Sequence, residues 1–213
     1  ANKLIEVWLT SQMAYDNIPS ISGFIVDDQK TLWQGAFGES NRKSALNSTV
    51  NTMNSICSTS KVVTATAIMK LVDEGKLNLD DKVKDLLYNF NVTQAFPSDQ
   101  AITVRSLLTH TSGLPRDTEH AYWSGPDHHF PSQKELLSSL NNMATVHPVD
   151  EKKLYSNVGY AVLGLIIEQL SKTSYQDYVE TRLFQPLNMT NSVVEMPTDL
   201  YGTTHAIGYT AKK

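Results

Sequence analysis

The chain has 213 residues, one cysteine and a formal net charge of −4 at neutral pH, and 40% of its residues are hydrophobic. A chain of this size can bury a core without disulfide bonds, and a single cysteine cannot form an internal disulfide. The mild negative charge and the lack of a basic block argue against nucleic acid or an anionic membrane surface as a partner. The longest apolar run, residues 158–170, is short and contains Glu168, so it predicts a buried helix and no transmembrane segment.

Apolar spacing predicts a helix and then a hairpin in the first part of the chain. Residues 3–15 carry apolar side chains at helical spacing, which predicts an amphipathic helix. The β-rich runs 21–26 and 31–37 flank the polar turn 27–30, and this pattern predicts an antiparallel hairpin. The polar stretch 39–49 predicts a loop.

A second helix is predicted from Ser58 to Gly75. Its apolar side chains recur at helical spacing, at positions 63, 67, 68, 71 and 72. Gly75 suits the left-handed residue with which helices often end. Cys57, which precedes this helix, is expected to be a small buried side chain, because no second cysteine or catalytic setting accompanies it.

Further helices and one long loop are predicted after Gly75. Thr103 is expected to cap a short helix over residues 104–108. Longer helices are expected over three later ranges, 133–143, 158–170 and 173–183. Between the short helix over residues 104–108 and the helix over residues 133–143, residues 116–132 predict a long loop that is rich in aromatic and histidine residues.

Ser58 and Lys61 form a Ser-x-x-Lys sequence at the start of the second helix. A spacing of three puts both side chains on one helix face, where an amine can reach a hydroxyl. A serine becomes nucleophilic when a neighbouring base takes its proton, and a lysine can be that base if its pKa is lowered. The alternative is that Ser58 caps the helix and Lys61 is a solvated surface residue. Ser40 and Lys43 have the same spacing, but they lie in the predicted loop.

Four segments in a fixed order make the pattern more specific. They are Ser58-Thr59-Ser60-Lys61, residues 71–81, residues 102–114 and Tyr155-Ser156-Asn157-Val158-Gly159-Tyr160. With these segments the chain resembles, over residues 21–209, the serine β-lactamase and penicillin-binding protein superfamily. The resemblance is to the branch that holds class C β-lactamases, D,D-carboxypeptidases and related esterases.

The resemblance implies an α+β, β-lactamase/transpeptidase-like fold, in which an antiparallel sheet flanked by helices joins a mostly helical lobe. It implies one incomplete domain over residues 1–213. Residues 1–57 would hold the first helix and the hairpin, residues 58–190 the nucleophile helix and the helical lobe, and residues 191–213 the start of a missing C-terminal part. The C-terminal strands of the sheet are therefore expected to be absent from this chain.

The resemblance also implies a role for each of four residues. Ser58 would be the acylated nucleophile and Lys61 its proton-accepting neighbour. Tyr155 would relay protons between the serine, the lysine and the leaving group, and Asn157 would orient the substrate amide. Whether Lys61 or Tyr155 is the acylation base stays open, because coupled groups titrate as a pair. No metal and no cofactor are implied.

One family motif is missing from the chain. The family carries a third motif of Lys or His, then Thr or Ser, then Gly, whereas residues 205–209 have the wrong spacing. The family's C-terminal strands supply one wall of the site and one oxyanion-hole N–H group. We therefore expect a truncated chain with an exposed hairpin edge, which a C-terminal fragment or a swapped neighbour would complete.

The histidines and loop aromatics have weaker interpretations. His110 could be a general base or a hydrogen-bonded structural residue, and the resemblance favours the structural role. Three loop histidines lack the ligand spacing of a zinc site, namely His120, His128 and His129. Three loop aromatics would either roof a substrate cleft or form a small separate cluster, namely Tyr122, Trp123 and Phe130.

The resemblance implies a serine acyl hydrolase that forms an acyl-enzyme on Ser58 and is impaired by the truncation. Its acyl donor would be a small molecule or a peptide: a D-alanyl peptide, a β-lactam or a small ester. The first alternative is a non-catalytic protein that recognises penicillins or serves as a scaffold. The second is an inert fragment that needs a second chain. The resemblance also implies export from the cytoplasm.

Overall fold

The computed structural model describes residues 2–96, 100–118 and 131–209. The chain forms two compact units, of which the first comprises residues 1–57 and 189–213 and the second residues 58–188. The lobe boundaries predicted from the sequence lie at 57/58 and 190/191, and their grouping into one incomplete domain stays a prediction. No helix in the described part of the chain has both the length and the apolar content to cross a membrane.

The first unit contains one helix and a small antiparallel sheet. Its elements are α1 (Asn2–Asp16), β1 (Ser20–Asp27), β2 (Lys30–Asn41) and β3 (Leu46–Asn47). The strand order is β1-β2-β3, so β1 is an edge strand with β2 as its one neighbour in the described sheet. Ile21 pairs with Phe37, and Asp28 adopts a positive φ of 51° in the turn. The predicted helix and hairpin are therefore confirmed.

The predicted loop over residues 39–49 is wrong in part. β2 continues to Asn41, and β3 pairs with it through Glu39–Asn47 and Asn41–Leu46. The Ser40 side chain is buried, and its hydroxyl donates to the Leu46 carbonyl at 3.2 Å. Backbone pairing satisfies the peptide groups of this polar stretch whatever its side chains prefer, so composition alone misses the strand.

The C-terminal segment of the first unit lies beside residues near β2. The Met53 N–H donates to the Thr204 carbonyl, and the Ala206 N–H donates back to the Met53 carbonyl, both at 2.9 Å. The Ile207 N–H donates to the Ser40 carbonyl at 2.8 Å. His205, between these contacts, is fully buried. Residues that are distant in sequence thus form one compact unit.

The second unit is helical and contains a continuous apolar core. Its α-helices are α2 (Ser60–Asp73), α3 (Val83–Leu86), α4 (Val104–Leu108), α5 (Gln133–Leu140), α6 (Asn157–Ser171) and α7 (Tyr175–Val179). Fully buried side chains come from several of these helices, including Ile68, Leu71, Val104, Leu107, Leu163 and Ile166. Each such aliphatic side chain contributes about 1.5–3 kcal/mol on burial. The core therefore supplies a rigid support for the segments that precede α2 and α6.

Both ends of α2 are defined by local backbone geometry. Gly75 adopts a φ of 68°, and the bonds Gly75 N–H to Val72 O and Lys76 N–H to Leu71 O close the helix, as predicted. At the other end, Cys57–Thr59 forms a 3₁₀ turn, so Ser58 lies just before α2 and not in its first α-helical turn.

The expectation that Cys57 is buried is wrong, because its side chain is exposed. Its backbone adopts a positive φ of 46°, which turns the chain into the 3₁₀ segment before the buried face of α2 begins. The side chain is therefore outside the apolar face of the helix.

Side-chain caps fix the starts of α4 and α7, and a backbone contact fixes the end of α5. Thr103 and Ser106 form the predicted cap of α4, in which each side chain bonds the backbone N–H of the other residue. Ser174 caps α7, which begins at Tyr175, two residues after the predicted start at residue 173, and the chain continues as a π-helical turn over Glu180–Phe184. Helix α5 ends at Leu140, three residues before the predicted end, because the backbone near Met143 bonds to Thr93.

Candidate active site

The start of α6 holds the Tyr155-Ser156-Asn157 segment in place. Ser156 is the N-cap residue, and its hydroxyl accepts the Gly159 N–H at 2.9 Å while donating to the Pro115 carbonyl at 2.7 Å. The Asn157 N–H donates to the Arg116 carbonyl at 2.7 Å. A small hydroxyl residue between Tyr155 and Asn157 thus caps the helix and ties it to residues 115–116.

Tyr155 and Ser58 are in direct contact. The Tyr155 hydroxyl donates to the Ser58 Oγ at 2.9 Å. Ser58 is exposed, and Tyr155 is half-buried. The two residues are 97 positions apart in the sequence, and Ser58 is both open to solvent and bonded to a hydroxyl that can exchange protons.

Lys61 lies between Tyr155 and Asn157. Its Nζ donates to the Asn157 Oδ1 at 2.7 Å and lies 4.7 Å from the centre of the Tyr155 ring. The structure therefore brings all four sequence-predicted site residues together, with Ser58 bonded to Tyr155 and Lys61 bonded to Asn157. Their individual chemical roles stay predictions.

Two cations, Lys61 and Arg116, lie close to the Tyr155 ring. Polar interaction with Lys61 is the largest cause that lowers the pKa of Tyr155, followed by the hydrogen bond with Ser58 and by the charges of Lys61 and Arg116. The Arg116 guanidinium carbon lies 5.3 Å from the centre of the same ring. Adjacent cations stabilise a phenolate and so make the phenol a better proton acceptor than a free tyrosine.

Two contributors to this site, Arg116 and Asp117, were assigned only to the long loop by the sequence interpretation. The Asn157 Nδ2 donates to the Asp117 Oδ1 at 2.6 Å, and the Arg116 Nε lies 3.3 Å from the Asp117 Oδ2. Asp117 therefore fixes which end of the Asn157 amide faces Lys61. The one local signal for Asp117 is the charged pair directly after Gly113-Leu114-Pro115, and neighbouring charges alone are common on surfaces.

His110 packs beside the same residues. Its ring centre lies 4.7 Å from that of Tyr155 and 5.1 Å from that of Tyr160. Its Nδ1 accepts the Ser156 N–H at 3.1 Å. The predictions for the other loop side chains lie outside the described residues, namely those for His120, Tyr122, Trp123, His128, His129 and Phe130.

The chain is similar to known proteins in sequence and in fold. A family model described as Beta-lactamase matches residues 6–210. The octameric penicillin-binding protein homologue from Pyrococcus abyssi is 32% identical, with a TM-score of 0.86 over 99% of this chain and 48% of that chain. The fold is therefore β-lactamase/transpeptidase-like, with helices and a small antiparallel sheet, which confirms the predicted α+β class.

Two further relatives extend this comparison. EstCE1, a hydrolase with promiscuous acyltransferase activity, is 25% identical, with a TM-score of 0.73 over 85% of this chain and 50% of that chain. Protein flp from Staphylococcus aureus is 29% identical over 96% of this chain. This chain spans 40% of the length of that curated relative.

Proposed function

This chain belongs to the Beta-lactamase family, and we propose that it is a serine acyl hydrolase with Ser58 as its nucleophile. The observation that carries the proposal is the 2.9 Å hydrogen bond between Tyr155 and Ser58, next to the Lys61 ammonium. A nucleophilic serine needs an adjacent proton acceptor, and a phenol beside a cation can be one.

In the acylation step, the Ser58 Oγ attacks the carbonyl carbon of the acyl donor. The Oγ–C bond forms while the Ser58 proton moves to the base, which is either Tyr155 as a phenolate beside the Lys61 ammonium or Lys61 as a neutral amine. Collapse of the tetrahedral intermediate then breaks the bond to the leaving group. That group takes up the proton as it departs. Water then attacks the ester on Ser58; the same base takes a proton from the water and passes it to the Ser58 oxygen as the acid product leaves.

Asn157 would orient the acyl donor in this mechanism. Its Oδ1 accepts from Lys61 and its Nδ2 donates to Asp117, and an amide nitrogen carries two hydrogens. The second N–H can therefore donate to a carbonyl on the substrate side chain. Such a donor suits a D-alanyl peptide or a β-lactam, whose acyl groups carry an amide, and is not needed for a small ester.

The test is the intact mass of the protein before and after exposure to a penicillin and, separately, to an activated ester. Wild type should gain one acyl group, and Ser58→Ala should gain none. Ser40→Ala, which changes the serine of the other Ser-x-x-Lys sequence, should label like wild type. Equal labelling of wild type and Ser58→Ala would reject Ser58 as the nucleophile.

The same assay separates hydrolysis from mere recognition. An adduct that forms and then disappears while product accumulates supports a hydrolase. An adduct that persists, with no product beyond one equivalent, supports a penicillin-recognising protein without turnover.

A second candidate is a chain that needs additional strands before it can react. It is favoured by the edge strand β1, where Phe24, Ile25 and Val26 are exposed, because apolar edge strands attract further strands. A C-terminal fragment or a swapped neighbour would provide them. A folded wild type that stays unmodified, but is acylated after such a fragment is added, would support this candidate over the first.

A further inference from the structure

His110 contacts the chain on both sides of Tyr155. The Leu154 N–H donates to the His110 carbonyl at 2.8 Å, and the Ser156 N–H donates to the His110 Nδ1 at 3.1 Å. The imidazole also packs on the Tyr155 ring, with 4.7 Å between the ring centres. One residue thus fixes the backbone before and after Tyr155 and supports its ring.

We propose that His110, as a neutral imidazole, is the positioning residue that holds the Tyr155 hydroxyl against Ser58, and that protonation of His110 releases it. The proposal rests on the proposed function, since it concerns the same proton-transfer pair. Within the described residues the contacts of the His110 ring and carbonyl are with the chain around Tyr155 and with the Tyr155 and Tyr160 rings, not with the Ser58 Oγ, so it acts through Tyr155.

The contact with Ser156 depends on the protonation state of the ring. An imidazole nitrogen accepts a hydrogen bond only when it carries no proton, so the structure requires the Nε2–H tautomer. A proton on Nδ1 would point at the Ser156 N–H, and two donors would then face each other. The carbonyl contact with Leu154 does not titrate, so protonation would loosen one side of Tyr155 and leave the other in place.

The surroundings of His110 disfavour its charged form. The titratable and charged groups that act on His110 or contact it are Lys61 on α2, Lys153 and Tyr155 in the segment before α6, and Tyr160 on α6. Arg116 lies beside the Tyr155 ring, and Asp150 accepts from Thr111, the residue after His110. Burial is the main cause that lowers the pKa of His110, and the charges of Lys61 and Lys153 add to it. Neutral His110 therefore stabilises the folded arrangement fully above the ordinary histidine pKa of about 6.5. This contribution is lost as the pH falls through the lowered pKa of His110.

The backbone of His110 guides the choice of variants. His110 adopts a positive φ of 63°, which Asn tolerates better than most residues. In His110→Asn the Oδ1 takes the place of Nδ1 on the same Cγ, so the acceptor for Ser156 remains but no longer titrates. In His110→Ala the acceptor and the ring are both lost.

His147 provides a matched control within the same unit. It is half-buried, and its Nδ1 lies 2.8 Å from the Pro148 carbonyl oxygen. A carbonyl can only accept, so His147 must carry its neutral proton on Nδ1, the opposite tautomer to that required of His110. His147→Asn removes a comparable histidine that contacts none of the four site residues in the described structure.

The first test uses nitrogen-15 NMR of the imidazole rings and carbon-13 signals of labelled tyrosine. We expect the Nε2–H tautomer for His110 and the Nδ1–H tautomer for His147. The Tyr155 ring signals should shift as His110 gains its proton, and this low-pH shift should be absent in His110→Asn. An Nδ1–H tautomer at His110, or Tyr155 signals that ignore its titration, would overturn the proposal whether or not Ser58 reacts.

The second test is the rate of Ser58 acylation by an activated ester as a function of pH. His110→Ala should lower the rate about 10- to 100-fold at pH 7, because a misplaced catalytic group loses its near-attack geometry. His110→Asn should stay within about threefold of wild type, since its acceptor is preserved. His147→Asn should match wild type.

The pH profile separates positioning from simple scaffolding. Below the pKa of His110 the wild-type rate should fall with the square of the proton concentration, because protonation of the base and protonation of His110 both inhibit. The rate of His110→Asn should fall only in proportion to the proton concentration, because protonation of the base alone inhibits it. Equal slopes would refute the His110 proposal, whereas labelling of Ser58→Ala would refute the proposed function and leave the NMR result standing.

Discussion

The two Ser-x-x-Lys sequences of this chain have the same spacing and very different surroundings. Ser40 lies in β2, is 1% exposed and donates to the Leu46 carbonyl, while Lys43 is exposed in the following turn. Ser58 is exposed in a 3₁₀ turn and accepts a hydrogen bond from Tyr155, and Lys61 bonds to Asn157. The Ser-x-x-Lys spacing therefore forms a candidate active site only where other segments supply hydrogen-bond partners for both residues.

Secondary structure explains part of this difference. Side chains three apart lie on one face of a helix but on opposite faces of a strand. Ser40 points into the first unit because β2 has period-two geometry, and the strand ends one residue later at Asn41. Ser58 and Lys61 enter α2 through a helical turn, which keeps both side chains on the side of Tyr155.

The largest expected effect on the acylation rate comes from removing Lys61, the lysine of the second Ser-x-x-Lys sequence. Lys61→Met keeps the length of the side chain and removes its charge. Without that charge the Tyr155 pKa should return toward about 10, where about one phenol in a thousand is ionised at pH 7. We expect the acylation rate to fall by about a hundredfold or more, as for the loss of a general base.

Lys43→Met is the matched variant in the first unit. It should leave the acylation rate unchanged, because Lys43 is exposed in a turn. The rate of mass increase with an activated ester measures both variants. Similar losses in the two would mean that the effect arises from net charge and not from the position of Lys61.

A smaller effect is expected at Asp117. Asp117→Ala frees the Asn157 amide to rotate, so Lys61 loses a fixed acceptor, and we expect about a tenfold loss of kcat/KM. Asp80 is a suitable control, because it is also paired with an arginine, Arg105, through two hydrogen bonds. Asp80→Ala should retain full activity, and a loss equal to that of Asp117→Ala would point to a general effect of removing an ion pair.

Several features of the fold could be predicted from local sequence. Gly75 and Thr103 mark the end of one helix and the start of another, because their backbone and side-chain preferences are local. The hairpin in the first unit follows from two β-rich runs around a polar turn. The four site residues were identified by a resemblance between segments, and the structure brings them within contact of each other.

Other features depend on contacts that no local pattern records. β3 forms within a mostly polar stretch because its backbone pairs with β2, which lies close to it only after folding. Asp117 joins the site because the Pro115 and Arg116 carbonyls anchor the start of α6 beside it. Cys57 is exposed because its positive φ directs the chain, which composition cannot indicate.

The smallest expected effect is on the free energy of unfolding, where Ser40 should matter more than Ser58, the reverse of their effects on labelling. Ser40→Ala leaves the Leu46 carbonyl without its buried donor, which should lower the free energy of unfolding by about 1 kcal/mol. Ser58→Ala removes an exposed hydroxyl and should change that free energy by less than about 0.5 kcal/mol. Urea denaturation is followed by tryptophan fluorescence in a Trp123→Phe background, where the remaining Trp8 and Trp33 both belong to the first unit, and circular dichroism reports mainly on the helices.

The two units need not unfold together, so the two signals are compared separately for each variant. Ser40→Ala should shift the fluorescence midpoint and keep full labelling, whereas Ser58→Ala should lose all labelling and keep both midpoints. A Ser58→Ala variant that is destabilised as much as Ser40→Ala would mean that Ser58 contributes to packing. Stability and reactivity would then not divide between the two serines as their surroundings predict.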